Sequence, residues 1–180
     1  MDKKIKTLYG SYKKGMTNRR DFLRKLAMVA GSTAAALAIL HVLEDNNLNA
    51  SVPFQDDPGL FTEFIRYAGE TGDVRAFLAR PKAGNKFPGV IIIHENRGLV
   101  PHIQNVTRRM AKEGFLAIAP DALSPVGGTP EDVSNVGELF KQLKSEETTK
   151  NFVAAVKYLK TNPLSTGKVG CTGFCWGGAM

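Results

Sequence analysis

The chain has 180 residues, 43% of them apolar, and a formal net charge of +7, a composition that supports a folded domain with a core and excludes a disordered chain. Residues 1–25 carry nine basic and two acidic residues and so account for the whole net charge; the remainder, with 15 of each sign, is neutral. That distribution removes the basic domain that nucleic-acid binding would require, and no nucleic-acid partner is expected.

The basic start is followed by "LAMVAGSTAAALAIL", residues 26–40, an uncharged run of 15 residues. This run is short for a membrane span and suits the core of a signal peptide. Between the two lies "TNRRDFLRK", with Arg19 and Arg20 adjacent and Phe22 and Leu23 behind them. The order of basic, apolar and polar regions resembles a twin-arginine export signal and implies the twin-arginine export machinery as a partner. Residues 1–50 are therefore expected to be export signal and linker, with cleavage after Ala50. The expected location is outside the cytoplasm, in the periplasm, with the membrane touched only through the signal segment, as an anchor if it is not cleaved. The plain alternative is an amphipathic helix docked on the domain, which the lack of a polar stripe in residues 26–40 argues against.

From residue 51 the pattern changes. After the linker-like "VPFQDDPGL", the runs "LFTEFIRYA" and "VRAFLARP" flank "GETGD" and read as a hairpin of edge strands. Val90–Ile93 is a continuous β-branched run of the kind buried on both faces of a parallel sheet. Residues 102–113 place Ile103, Val106 and Met110 at helical spacing and stop at Gly114, a C-cap residue. "FLAIAPD" reads as a second buried strand, residues 131–142 and 147–160 as helices, and "GKVGCTGF" as a further strand. The second of those helices is expected to turn Phe152, Val153, Val156 and Leu159 inward. Alternating strands and helices define an α/β fold: a mainly parallel sheet with helices on both faces.

In such a sheet the ligand edge lies beyond the carboxyl ends of the strands, and "HENRG" and "GFCWGG" leave that edge. Residues 173–177 fit glycine, any residue, nucleophile, any residue, glycine, directly after a strand and before an expected helix start. Gly173 and Gly177 remove side chains that would collide in so sharp a turn, and Cys175 at its apex is held in a strained conformation facing the cleft. A helix N-terminus there would favour an anionic nucleophile. Cys175 is read as a reactive thiol, the alternative being a small buried hydrophobe. Cys171, inside the strand, is expected to pack. His94 at a strand end is expected to support the loop by bonding to neighbouring backbone. Arg97 either holds an anionic substrate or faces water.

"VIIIHENRGL", "GFLAIAPD" and "GKVGCTGFCWGG", in this order and at these separations, resemble the dienelactone hydrolase family, the carboxymethylenebutenolidase-type α/β hydrolases. The resemblance covers about residues 60–180 and implies an α/β-hydrolase fold and an ester or lactone hydrolase. It makes Cys175 the nucleophile, Glu95 the carboxylate that activates the thiol, and the backbone N–H groups of Asn96 and Trp176 the oxyanion-hole donors. A loop carboxylate facing water is the plain reading of Glu95. No cofactor is implied, and no metal set is visible in the sequence.

In this fold the acid and histidine of the triad follow the nucleophile, whereas His41, His94 and His102 all precede Cys175. Residues 51–180 are accordingly expected to be the N-terminal part of a longer hydrolase domain, its C-terminal part missing, with little activity and poor stability on their own. A non-catalytic exported binding module and a remnant without function are the competing readings. The stretch "ALSPVGG" lacks the arginine that many family members place there for a substrate carboxylate, so a dienelactone substrate is not assumed, and simple esters, other lactones and a peptide-like amide are all open.

Overall fold

The computed structural model describes residues 3–33, 35, 36, 39, 40, 43 and 57–180. The chain forms two compact units, Met1–Val52 and Pro53–Met180. Ala50, His41 and the linker stretch before Asp57 lie outside the described residues.

In the first unit, helix α1 (Lys3–Lys13) packs on α2 (Arg19–Ala30). The Asn18 side chain accepts from the Asp21 N–H and caps α2, while Gly31, at φ 81°, ends it. The helices meet through an apolar face: Phe22 and Leu26 are fully buried beside Ile5 and Tyr9, and the rings of Tyr12 and Phe22 stack with centroids 4.5 Å apart. Arg19 and Arg20 sit exposed in the first turn of α2. The apolar run 26–40 is not one helix: after the break at Gly31, the Ser32 hydroxyl accepts from the Ala35 N–H to start another turn. Among the described residues, no helix is long and apolar enough to cross a membrane.

The second unit is a five-stranded sheet in the order β1-β2-β4-β3-β5. Its strands are β1 (Leu60–Gly69), β2 (Gly72–Pro81), β3 (Phe87–Ile93), β4 (Leu116–Pro120) and β5 (Ser165–Gly173). β2 runs antiparallel to both of its neighbours, β1 and β4, and β4, β3 and β5 run parallel, so the sheet is mixed, with its parallel half leading to the glycine-framed turn. β2 is not an edge strand as the hairpin pattern suggested. It lies between β1 and β4, and its Ala76–Ala79 stretch is buried on both faces.

Strand residues alternate between two cores. Ile91, Ile93, Leu116, Ile118, Ala76 and Leu78 point to one, where Phe152, Ala155 and Leu159 of α5 (Ser145–Thr161) pack. Val90, Ile92, Ala117, Ala119, Phe77 and Ala79 point to the other, covered by Ile103 and Ala111 of α3 (Pro101–Lys112). This period of two, with a helix over each face, explains why β3 and β4 read as unbroken apolar runs. Truncating a fully buried residue such as Leu159 to alanine would cost about 2–5 kcal/mol.

Two helix expectations are corrected. Only Val136–Phe140 of the span 131–142 is helical, as the short α4. In α5 the buried face is Thr148, Asn151, Phe152, Ala155 and Leu159, and Val153 is 61% exposed because it lies about 100° around the helix from Phe152. Asn151 ties α5 to the β1–β2 hairpin. Its side-chain oxygen accepts from the Glu70 N–H at 2.8 Å, its amide donates to the Thr71 hydroxyl at 2.9 Å, and Tyr67 donates to its backbone carbonyl at 3.1 Å.

The β3–β5 pairing contains one slip. Phe87 pairs with Ser165 but Gly89 pairs with Val169, so two steps on β3 match four on β5; beyond it the register runs unbroken to Ile93 opposite Gly173. Gly167, at φ 80°, makes the bend within the slipped segment.

Candidate active site

Parallel register brings the two polar loops together. Because Ile93 lies opposite Gly173, Glu95 and Cys175 are each two residues beyond a paired position on neighbouring strands, which run about 4.8 Å apart. The Phe174 N–H continues the ladder to the Ile93 carbonyl at 3.3 Å, and the chain then turns through a four-residue 3-10 turn, Cys175–Gly178. Among the described residues the chain after the elbow forms this one tight turn.

Cys175 has φ 52°, and among the described residues it is the sole non-glycine with positive φ. A left-handed conformation costs an L-residue about 1–2 kcal/mol, and such strain is found where function needs it. The flanking glycines are what permit it. A side chain on Gly177 would place its Cβ 2.5 Å from the Ile93 carbonyl oxygen and 2.6 Å from that of His94, and one on Gly173 would collide with the Gly177 carbonyl. Cys175 is exposed at the apex. Cys171 is exposed as well, which corrects the expectation that it packs: β5 is the edge strand of the described sheet, and its outward residues have no neighbouring strand over them.

Asn96 and Arg97 are the central residues of a turn closed by the Gly98 N–H on the Glu95 carbonyl at 3.2 Å. Such a turn does not itself use the N–H of its second residue, here Asn96. Glu95 and Arg97 are half-buried and both are engaged within the chain. His102, second residue of α3, stands apart from these loops at the helix start.

His94 is fully buried and lies behind the turn. Its Nδ1 donates to the Glu95 carbonyl at 2.7 Å and its Nε2 accepts from the Ala122 N–H at 3.0 Å. Its ring stacks on Trp176 at 5.5 Å, with Phe140 of α4 edge-on to both. The expected loop-supporting role has this physical form, and Phe140 and the Trp176 ring are partners that the sequence pattern did not single out.

Sequence reasoning also missed Asp121 and Thr129. Asp121 is fully buried; its carboxylate accepts from the Leu123 N–H at 3.1 Å, the Thr129 N–H at 2.7 Å and the Thr129 hydroxyl at 2.7 Å. The Thr129 oxygen in turn accepts from the Leu99 N–H at 2.8 Å. Thr129 approaches so closely that any Cβ at Gly98, which has φ 81°, would strike its hydroxyl. A cavity of about 390 Å³ opens beside this pair, lined by Arg75, Leu99, Val100, Gln104, Thr129 and Glu131 among others.

A strained residue between two glycines, carried by a parallel strand to the ligand edge of a sheet with helices on both faces, is the arrangement of an α/β hydrolase. Residues 74–180 match the family model of the Dienelactone hydrolase family, and the chain belongs to that family. It is 42% identical over 111 residues to the Escherichia coli (strain K12) protein named "Putative hydrolase fragment YghX", covering 60% of this chain and 95% of that one. It is 31% identical over 157 residues to a "Putative carboxymethylenebutenolidase" of Methylorubrum extorquens, covering 83% of this chain and 51% of that protein. The crystal structure of a "Putative Dienelactone Hydrolase" from Klebsiella pneumoniae superposes with a TM-score of 0.59 at 26% identity, over 66% of this chain and 51% of that one. The chain thus spans about half the length of the carboxymethylenebutenolidase and of the Klebsiella hydrolase.

Proposed function

We propose that this chain carries the nucleophile and oxyanion-hole half of an exported ester or lactone hydrolase that acts through an acyl-cysteine intermediate. The observation that carries the reading is the left-handed Cys175 framed by Gly173 and Gly177 at the end of β5. Glu95 takes the thiol proton, and Sγ of Cys175 attacks the substrate carbonyl carbon. The N–H groups of Asn96 and Trp176 receive the oxyanion, the ester C–O bond breaks, and the departing alcohol oxygen takes the proton back from Glu95. Water then cleaves the thioester, releasing the carboxylic acid and restoring the thiol. Each oxyanion donor is worth about 100- to 1,000-fold in rate. Small neutral esters and lactones fit this chemistry.

The two exposed cysteines provide an internal control, Cys171 within β5 and Cys175 at the elbow beyond it. Treating the purified chain with p-nitrophenyl acetate, quenching in acid and mapping the peptides should show acetyl on Cys175 at least about tenfold faster than on Cys171. Equal rates at the two thiols would sink the reading and favour a binding module.

The export reading is supported by the exposure of Arg19 and Arg20 at the start of α2. Residues 1–50 fused to a reporter should direct it out of the cytoplasm, and Arg19→Lys with Arg20→Lys should stop it; undiminished export of the double variant would refute the twin-arginine assignment.

A further inference from the structure

We propose that Asp121 and Thr129 are positioning residues for the acyl-transfer step: they fix the far end of the Glu95–Gly98 turn so that the Asn96 N–H meets the oxyanion. The inference rests on the acyl-cysteine reading and adds to it the device that holds one of the two donors in place.

The turn is held at both ends from a single dipeptide, Asp121-Ala122, at the end of β4. At the near end, Ala122 N–H donates to His94 Nε2, and His94 Nδ1 donates to the carbonyl of Glu95. At the far end, the Asp121 carboxylate orients Thr129 through two bonds of 2.7 Å, and the Thr129 oxygen receives the Leu99 N–H at 2.8 Å. Asp121 is itself immobilised: its N–H donates to the Arg75 carbonyl at 2.8 Å, and its own carbonyl accepts from the Ser124 hydroxyl at 2.7 Å. Every bond in this chain passes through a group that is buried or half-buried.

The chemistry of the pair explains why both members are needed. The Thr129 hydroxyl donates its one proton in a hydrogen bond to Asp121 Oδ1, which leaves its lone pairs for the Leu99 N–H; rotating away would forfeit that bond and leave Asp121 with the Leu123 and Thr129 N–H groups alone. Gly98 completes the fit, since Thr129 occupies the space where a side chain would stand. Preorganised donors accelerate acyl transfer because they need not move as charge develops. A turn pinned at one end only would let the Asn96 amide swing, and an error of about 1 Å costs about 100-fold in rate.

The test separates positioning from general support of the fold. Acylation of Cys175 by p-nitrophenyl acetate needs the oxyanion donors; alkylation of the same thiol by iodoacetamide displaces iodide at a saturated carbon and forms no oxyanion. In Thr129→Val, acylation at Cys175 should fall about 10- to 100-fold while alkylation stays within about twofold, and Thr129→Ser, which keeps the hydroxyl, should recover most of the loss. Trp176 fluorescence reports whether each variant is folded, and Asp121→Asn serves as the second variant, expected to show the same split, should Thr129→Val fail to fold. Wild-type acylation at Cys175 that is unaffected by the variants, or acylation and alkylation falling together, would overturn the positioning role alone. Absence of preferential acylation in the wild type would overturn the acyl-cysteine reading, and the positioning role with it.

Discussion

The Ala122 N–H donates to Nε2 of His94 across 3.0 Å, joining the loop after β4 to the loop after β3 by a bond that a protonated imidazole could not accept. Burial holds the His94 pKa below the ordinary value of 6.5, outweighing the Glu95 carbonyl and the Asp121 carboxylate, 4.0 Å from the ring, which both favour the charged form. The ring is therefore neutral, and its approach to Asp121 is not an ion pair. In the unfolded chain the imidazole gains its proton near pH 6.5, whereas in the fold it resists. The stabilisation is complete above that pH and is lost as pH falls below it. The stability advantage of wild type over His94→Gln, measured by urea unfolding, should shrink between about pH 7 and pH 5; an advantage that does not change with pH would contradict this.

Strain at the elbow predicts an inverted ranking of two substitutions. Cys175→Ala keeps a side chain at φ 52° and gains nothing. Cys175→Gly relieves the left-handed cost and should be more stable than Cys175→Ala by about 1 kcal/mol, although glycine ordinarily loses stability to alanine. Thermal unfolding of the two variants decides it, and an alanine variant equal or superior in midpoint would show that the turn is not strained.

Gly177→Ala should be the more severe lesion. Its Cβ would meet two backbone carbonyl oxygens, at 2.5 and 2.6 Å, that belong to the end of β3 and have no side-chain freedom with which to yield. A loss of more than about 2 kcal/mol is expected, read through the emission of Trp176, the one tryptophan of the sequence. A substitution tolerated without loss would mean that β3 and the elbow are further apart than the structure has them.

Asn151→Ala removes the acceptor for Glu70 N–H and the donor to Thr71 Oγ1 on the hairpin between β1 and β2. Glu70 and Thr71 are exposed and water can replace the lost partner, so each bond contributes about 0.5–1.5 kcal/mol net and unfolding in denaturant should shift by about 1–2 kcal/mol. Amide exchange at Glu70 should rise more than exchange in β3. Uniform acceleration across the sheet would show that Asn151 acts on the core and not on the hairpin.

Much of this architecture is written in local pattern. Val90–Ile93, "FLAIAPD" and the spacing of Ile103, Val106 and Met110 identify β3, β4 and α3, because each element buries its residues at its own period. The elbow was legible because its requirement is steric and falls on two glycines within five residues. What escaped notice depends on distance along the chain. Leu99 and Thr129 are 30 residues apart, and nothing in "GGTP" announces a hydroxyl that closes a turn after β3. Asp121 ends a strand motif where an acid is usually solvated, and only the fold brings three donors to it. The hairpin pattern leaves the place of β2 open, because a hairpin can flank a sheet from either side and local sequence does not say which strand of the pair faces inward. Val153 misled for the opposite reason: its hydrophobicity suggested a buried place, but the helix face that Phe152 and Leu159 share leaves it outside.

The slip between β3 and β5 has a consequence for evolution and engineering. Because Ser165–Val169 takes up two residues more than Phe87–Gly89, an even number, the alternation of faces survives, and Val169 packs with Ile91 and Ile93 in the same core. Removing a single residue from Thr166–Lys168 would leave one excess residue on β5, the count of an ordinary bulge, with the pairing from Val169 onward still available. Removing two would leave two steps on each strand, so Val169 could pair with Gly89 without a slip and Cys175 would keep its place beside Glu95. The bulge acts as a buffer for the thiol: a pair of residues lost from this exposed segment should be absorbed by fold and site alike, whereas a loss within Val169–Gly173, beyond the slip, would move Cys175 along or across the sheet.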